Sequence, residues 1–140
     1  MAIICDTSGV FAIYDHHDRW HEAAEEFVAS QSDELLLPVI LLAEIDYLIT
    51  DRLGQAAALD FLESVRIGAF QLLPLSEISL GRCMELLNEY ADLKIGLSDA
   101  SVVAAAEERR IFRLFTTDER HFRAIRPRGS EHFTLLPADL

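Results

Sequence analysis

Among its 140 residues the chain has two cysteines, four prolines, six glycines and a single lysine, Lys94. Two cysteines make no disulfide framework, and Cys5 lies in an apolar run, so a reducing compartment and no Cys5–Cys83 bridge are expected. With so few prolines and 51% hydrophobic residues, a disordered chain is excluded, because burial of this much apolar surface offsets the ordering entropy. Long apolar runs are also missing. The longest, Leu35 to Ala43 and Val102 to Ala106, fall well short of the roughly 20 residues that a membrane-spanning helix needs. Met1 to Cys5 has no basic start and Asp6 interrupts its apolar stretch, so neither a secretory leader nor membrane contact is expected, and the location expected is cytoplasmic. The length suits one domain, residues 1–140, with a radius of gyration of roughly 14 Å and about two thirds of its unfolded surface buried.

Positive charge is scarce and unevenly distributed. Against 24 acidic residues stand 12 basic ones, a net charge of -12. Residues 1–108 carry 5 basic and 20 acidic side chains, whereas residues 109–140 carry 7 arginines and 4 acids. The bulk would repel nucleic acid; the last quarter would attract it. Arginine binds phosphate through paired N–H groups, so Arg109, Arg110, Arg113, Arg120, Arg123, Arg126 and Arg128 form a candidate phosphate surface, the alternative being a solvated face paired with Glu107, Glu108 and Glu119.

No repeat, low-complexity segment or linker interrupts the chain. Brief apolar runs at Ala2–Cys5, Glu34–Leu37, Phe70–Leu73, Arg113–Phe115 and Phe133–Leu136 predict five strands. Apolar spacing of three and four predicts helices at Val10–Tyr14, Arg19–Ser30, Pro38–Leu53, Gln55–Val65, Ile78–Tyr90, Ser98–Arg109 and Glu119–Ile125, with Pro38 as a first helical residue and Gly54 as a stop. Strands separated by helices require parallel crossovers. The expected fold is a three-layer α/β/α sandwich around a central, mostly parallel five-stranded sheet.

In such a sheet ligands bind beyond the carboxyl ends of the strands. Asp6 directly follows the first strand, and Asp118 follows the fourth through Thr116 and Thr117. Either alone is explained as a helix N-cap; both together point to a site. Glu44 lies on a helix face with Ile40, Leu41, Tyr47 and Leu48, where a carboxylate loses most of its water and needs a cation, either an arginine such as Arg82 or Arg113 or a metal. Asp99 opens an Ala-rich helix, where an acid also favours the helix dipole. Were Asp6, Glu44, Asp99 and Asp118 to converge, their repulsion would require divalent cations. Oxygen ligands select Mg²⁺ or Mn²⁺ over zinc, no Cys or His accompanying the acids at ligand spacing, and such a centre supports phosphodiester hydrolysis.

The order of these pieces resembles the PIN domain family, and within it the VapC-type toxin ribonucleases of type II toxin-antitoxin pairs. The resemblance rests on Ile3-Ile4-Cys5-Asp6-Thr7-Ser8, on Glu44, on Leu97-Ser98-Asp99-Ala100, on Thr116-Thr117-Asp118 with His121-Phe122 behind, and on Leu135-Leu136-Pro137. It implies a metal-dependent endoribonuclease with Asp6, Asp99 and Asp118 around Mg²⁺ or Mn²⁺. Glu44 would stand nearby, holding a water or second ion or acting as base, and the Thr116 hydroxyl would orient the carboxylates. It further implies an RNA substrate, a cognate antitoxin and a homodimer. RNA contact is then expected at the metal centre and the flanking Arg109–Arg128 segment, Arg120 and Arg123 foremost.

Two other readings stay open. A non-catalytic RNA-binding or interaction module would retain RNA without cutting it. An aspartate-based phosphoryl-transfer domain would need a second acid close behind Asp6, where Ser8 stands, and a lysine after a late strand, where the sequence offers only Lys94. His16, His17 and His21 read as a solvated helix start, Phe11, Trp20 and Phe27 as core, and Cys83 and Met84 as helix packing.

Overall fold

The structure, a computed structural model, describes residues 1–140. Five strands, β1 (Ala2–Cys5), β2 (Glu34–Pro38), β3 (Gln71–Leu73), β4 (Arg113–Phe115) and β5 (Thr134–Leu136), form one sheet in the order β3-β2-β1-β4-β5. Every ladder is parallel, so the sheet expected to be mostly parallel is wholly so. The helices are α1 (Thr7–Tyr14), α2 (His21–Ser30), α3 (Leu41–Leu53), α4 (Gln55–Arg66), α5 (Glu77–Glu89), α6 (Leu97–Arg109) and α7 (Glu119–Ala124), with a 3₁₀ turn at Ala91–Leu93. Right-handed crossovers carry the chain from β1 outward to β3 and back past β1 to β4. They place α1–α4 on one face and α5–α7 on the other. The inner strands, covered on both sides, are apolar: Ile3, Ile4, Leu37, Leu114 and Leu135 are fully buried, whereas the edge strand β3 is exposed at Gln71 and Leu72. Small residues from Ala100 to Ala106 let α6 lie close against β1 and β2.

Two local expectations are corrected. Pro38 does not open a helix; it ends β2, paired in register with Leu73, and α3 begins at Leu41. Its ring holds the preceding residue extended, and at the strand's last position the missing N–H costs no ladder bond, Val39 N–H donating to Leu73 instead. Met84 is 64% exposed and packs against nothing central, whereas Cys83 beside it is buried as expected.

The chain reverses its winding direction between β1 and β4, so the crevice beyond their carboxyl ends is the switch point of the sheet. Cys5 pairs with Phe115, and the Asp6 N–H donates to the Phe115 carbonyl at 2.9 Å, so Asp6 and Thr116 leave the sheet side by side. Gly9, in the first turn of α1, makes this possible. A Cβ there would stand 2.5 Å from that same carbonyl oxygen. Gly9→Ala is therefore expected to push α1 off β4 and cost about 1–3 kcal/mol, read as a lowered urea midpoint at unchanged m-value; wild-type stability would contradict this packing.

Candidate metal centre at the sheet switch point

Asp6 is 4% exposed. Its Oδ2 accepts hydrogen bonds from Ser8 Oγ and Thr116 Oγ1, both at 2.8 Å, and the Ser8 N–H approaches it at 3.4 Å as the cap of α1. All of these fall on one oxygen, and Oδ1 receives none. Burial pushes the Asp6 carboxyl up to about 6 against the pull of Ser8 and Thr116, with the Asp99 and Asp118 charges adding to the rise. Thr116 is fully buried, and its hydroxyl also meets Ser8 Oγ at 3.0 Å and accepts the Asp118 N–H at 3.0 Å. One hydroxyl thus ties Asp6 to Asp118 across two strand ends.

Asp118 caps α7 with Oδ1, which accepts the His121 N–H at 3.0 Å. Its Oδ2 lies 3.0 Å from His121 Nδ1, and Asp99 Oδ2 lies 3.2 Å from the same nitrogen. In spite of that proximity, Nδ1 is buried and lacks an aligned hydrogen-bond partner. Asp99 reaches the cleft from the first turn of α6, where it also meets the Gly96 N–H at 3.5 Å. Burial raises its pKa, His121 opposes the rise, and Asp118 and Glu44 add to it. The N-cap roles considered for Asp6 and Asp118 and the first-turn position considered for Asp99 are thus real, and each residue leaves carboxylate oxygen free.

Glu44 corrects its expectation. It is half-buried and pairs with no arginine: Arg82 is bound to Glu107 and Arg113 to Asp33. The buried stripe of α3 is Leu41, Ile45 and Ile49, while Tyr47 is 67% exposed. Glu44, Leu48 and Arg52, four residues apart, form the neighbouring stripe that faces the cleft. There Ser98 Oγ donates to Glu44 Oε2.

Asp6, Glu44, Asp99 and Asp118 thus line one cleft of about 330 Å³. Asp15 and Asp18, from the α1–α2 turn, and the single cation Arg52 line it too, none of them foreseen from sequence. His121 was also unforeseen as part of the site, and it overturns the expectation that no histidine accompanies the acids. The signal was its place three residues after the N-cap Asp118, which puts both on one helical face. Ligand atoms of Asp99, Asp118 and His121 lie within 4.8 Å of one another, a spacing one ion can span. Carboxylates around an unpartnered imidazole nitrogen fit a divalent cation.

Elsewhere the structure redistributes what the sequence grouped. Arg123 is held by Glu119 and Asp139, and the Asp139 and Glu119 hydrogen bonds raise its pKa. Arg113 and Arg128 are paired at the opposite end of the sheet, with Asp33 and Glu85, so the C-terminal arginines are not one surface. Arg120 is exposed and lies beside Asp118 in an adjoining groove. His21 is buried, not solvated, with Nδ1 against the Ala12 carbonyl at 2.8 Å. Phe11 and Phe27 are core as expected, but half-buried Trp20 also lines the groove with Arg120.

Known proteins agree with this architecture. The PIN domain family model matches residues 3–126. Ribonuclease VapC26 of Mycobacterium tuberculosis is 34% identical over 135 residues, covering 96% of this chain and all of that one. Among solved structures, M. tuberculosis VapC20, described as a sarcin-ricin loop cleaving toxin, superposes with a TM-score of 0.76 at 21% identity, covering 83% of this chain and 89% of that one. A toxin-antitoxin complex from Klebsiella pneumoniae gives 0.64 at 19% identity, covering 88% and 92%. The order of strands, the acids at their carboxyl ends and these matches lead to one conclusion: the chain belongs to the PIN domain family, among its VapC-type members.

Proposed function

We propose that this protein is a divalent-metal-dependent endoribonuclease and the toxin of a type II toxin-antitoxin pair. The observation that carries the reading is the convergence of four acids from four separate segments, Asp6, Glu44, Asp99 and Asp118, in one cleft at the switch point. The ribonuclease relative supports the substrate class.

In this reading Asp6, Asp99 and Asp118 hold the ion, with His121 Nδ1 as a further donor. Mg²⁺ or Mn²⁺ suits the carboxylates, and the imidazole favours Mn²⁺ of the two. When bound, the ion supplies polarisation of a phosphoryl oxygen, a more acidic water and neutralisation of the leaving oxygen. The protein supplies the positioning. Ser8 and Thr116 fix Asp6 through Oδ2, and Oδ1, with no hydrogen bond, would be free to hold the ion. Ser98 holds Glu44 through Oε2, leaving Oε1 to take the proton of the attacking water.

An antitoxin is the protein partner in this reading. A toxin-antitoxin complex among the structural neighbours supports it, as does exposed apolar surface at Tyr47, Ile78 and Met84. Pairing of two copies and a cytoplasmic location belong to the same proposal; no helix is long and apolar enough to cross a membrane. The phosphoryl-transfer alternative loses its lysine, because Lys94 lies after the 3₁₀ turn and does not line the cleft.

The test is cleavage of single-stranded RNA by the purified protein in Mg²⁺ or Mn²⁺. Cleavage is expected to stop in chelator and in Asp99→Asn, with the circular dichroism spectrum unchanged. Activity that survives both would overturn the proposal, and RNA retained but never cut would favour the non-catalytic module.

A further inference from the structure

The acidity of the chain gives its unpaired cations unusual weight. Arg66, Arg82, Arg113, Arg123 and Arg128 are each tied to a carboxylate. Of the six arginines with no ion pair, three line the carboxylate cleft or the groove that continues it: Arg52 in the cleft, Arg19 and Arg120 in the groove. Cleft and groove share Asp18 and Asp118, so they form one continuous path that carries the four acids and all three cations. Two of these arginines are held in a distinctive way. Arg52 Cζ lies 5.5 Å from the centroid of the Phe11 ring, and Arg19 Cζ lies 5.3 Å from that of Trp20. An aromatic ring steadies a guanidinium without consuming its N–H donors, whereas a carboxylate occupies them. Arg19 and Arg52 are therefore positioned and still able to bind phosphate.

Resting on the ribonuclease reading, we infer that Arg52 and the Arg19–Arg120 pair grip the phosphates on either side of the one being cleaved, so that an unpaired RNA strand runs from α3 across the carboxylates to the α1–α2 turn. A phosphodiester chain laid over the acids meets repulsion at the centre, which the metal relieves, and a cation on each flank. A duplex is disfavoured because Asp15 and Asp18 add further carboxylates to the path, and a second backbone brings more phosphate charge to them with no further cation to meet it. The sequence pointed to Arg120 and Arg123; the structure retains the first, replaces the second and adds Arg19 and Arg52.

The experiment uses a short single-stranded oligoribonucleotide, with cleavage kinetics in Mn²⁺ and the salt dependence of binding in Ca²⁺. Arg52→Gln and Arg19→Gln are each expected to raise KM about tenfold with kcat within about threefold, and to lower the salt slope by about 0.7. Arg110→Gln, an unpaired arginine at the far end of α6, is expected to change neither. Normal cleavage with KM and salt slope unmoved in Arg19→Gln and Arg52→Gln overturns the path and leaves the nuclease standing. Binding that depends on these arginines in a wild-type protein that cuts nothing overturns the nuclease and leaves the path standing. Wild-type protein that neither binds nor cuts overturns both, and duplex RNA bound as tightly as the single strand overturns the unpaired strand.

Discussion

Asp6→Asn is expected to abolish RNA cleavage while making the metal-free protein more stable. The loss follows from geometry. Both hydroxyl donors fall on Asp6 Oδ2 and none on Oδ1. An asparagine that places its amide oxygen where Oδ2 stands keeps both hydrogen bonds, and its NH₂ group then faces the position of the cation. The fold is kept, the ligand is lost, and kcat falls by about 10²–10³-fold or more. The gain follows from burial. The Asp6 carboxyl titrates near 6 in the folded chain against an ordinary value of 3.8, so the native state binds its proton more tightly than the unfolded state. Ionised Asp6 therefore destabilises the metal-free fold above about pH 6. That penalty shrinks as pH falls below about 6 and is gone only at about pH 3, where both states are protonated. At pH 7 it amounts to about 2–3 kcal/mol, which Asp6→Asn removes. Denaturant melts in EDTA should show the variant above wild type at pH 7 and converging with it towards about pH 3. A variant less stable than wild type at pH 7 would mean that Asp6 is compensated within the protein and that no metal is needed there.

Metal binding itself should stabilise the wild-type protein, and more so as pH rises. Proton and cation compete for Asp6, and burial raises the pKa of Asp99 as well. Between pH 5 and pH 7 the apparent affinity for Mn²⁺ should rise about tenfold from Asp6 alone, and further with Asp99. At a concentration of 100 times Kd the ion adds about 2.7 kcal/mol. In a chain of this length that raises Tm by some 10 °C. Thermal melts with and without Mn²⁺ at the two pH values measure both. A shift independent of pH, or one that persists in Asp6→Asn, would place the ion elsewhere.

The legible parts of this protein are those where one local signal decides. Short apolar runs became strands because the sheet is covered on both faces, and Asp6 and Asp118 could be placed because one follows such a run directly and the other after only Thr116 and Thr117. Pro38 misled because the same ring suits the start of a helix and the end of a strand, and only pairing with Leu73 separates the two. The C-terminal arginines misled in another way. Neighbours in sequence, they are parted by β4, which carries the chain from Arg113 at one end of the sheet to Arg120 at the other. Arg19 and Arg52 gave no signal, since packing of α1 against α2 and α3 is what puts them beside one centre. Glu44 was legible as an unusual acid on an apolar helix, but its partner, Ser98, lies 54 positions away.

The winding order of the sheet also governs when the protein can act during its own synthesis. Asp6 and Glu44 leave the ribosome early, but β1 stays without its second neighbour until β4 has emerged. The Thr116 N–H then finds its acceptor in Leu136, at the end of β5. A chain that stops short of β4 thus holds three of the four acids, Asp6, Glu44 and Asp99, and no assembled cleft. β4 and Asp118 thus complete the site after the other three acids have emerged, so a fragment that stops short of β4 is expected not to cut.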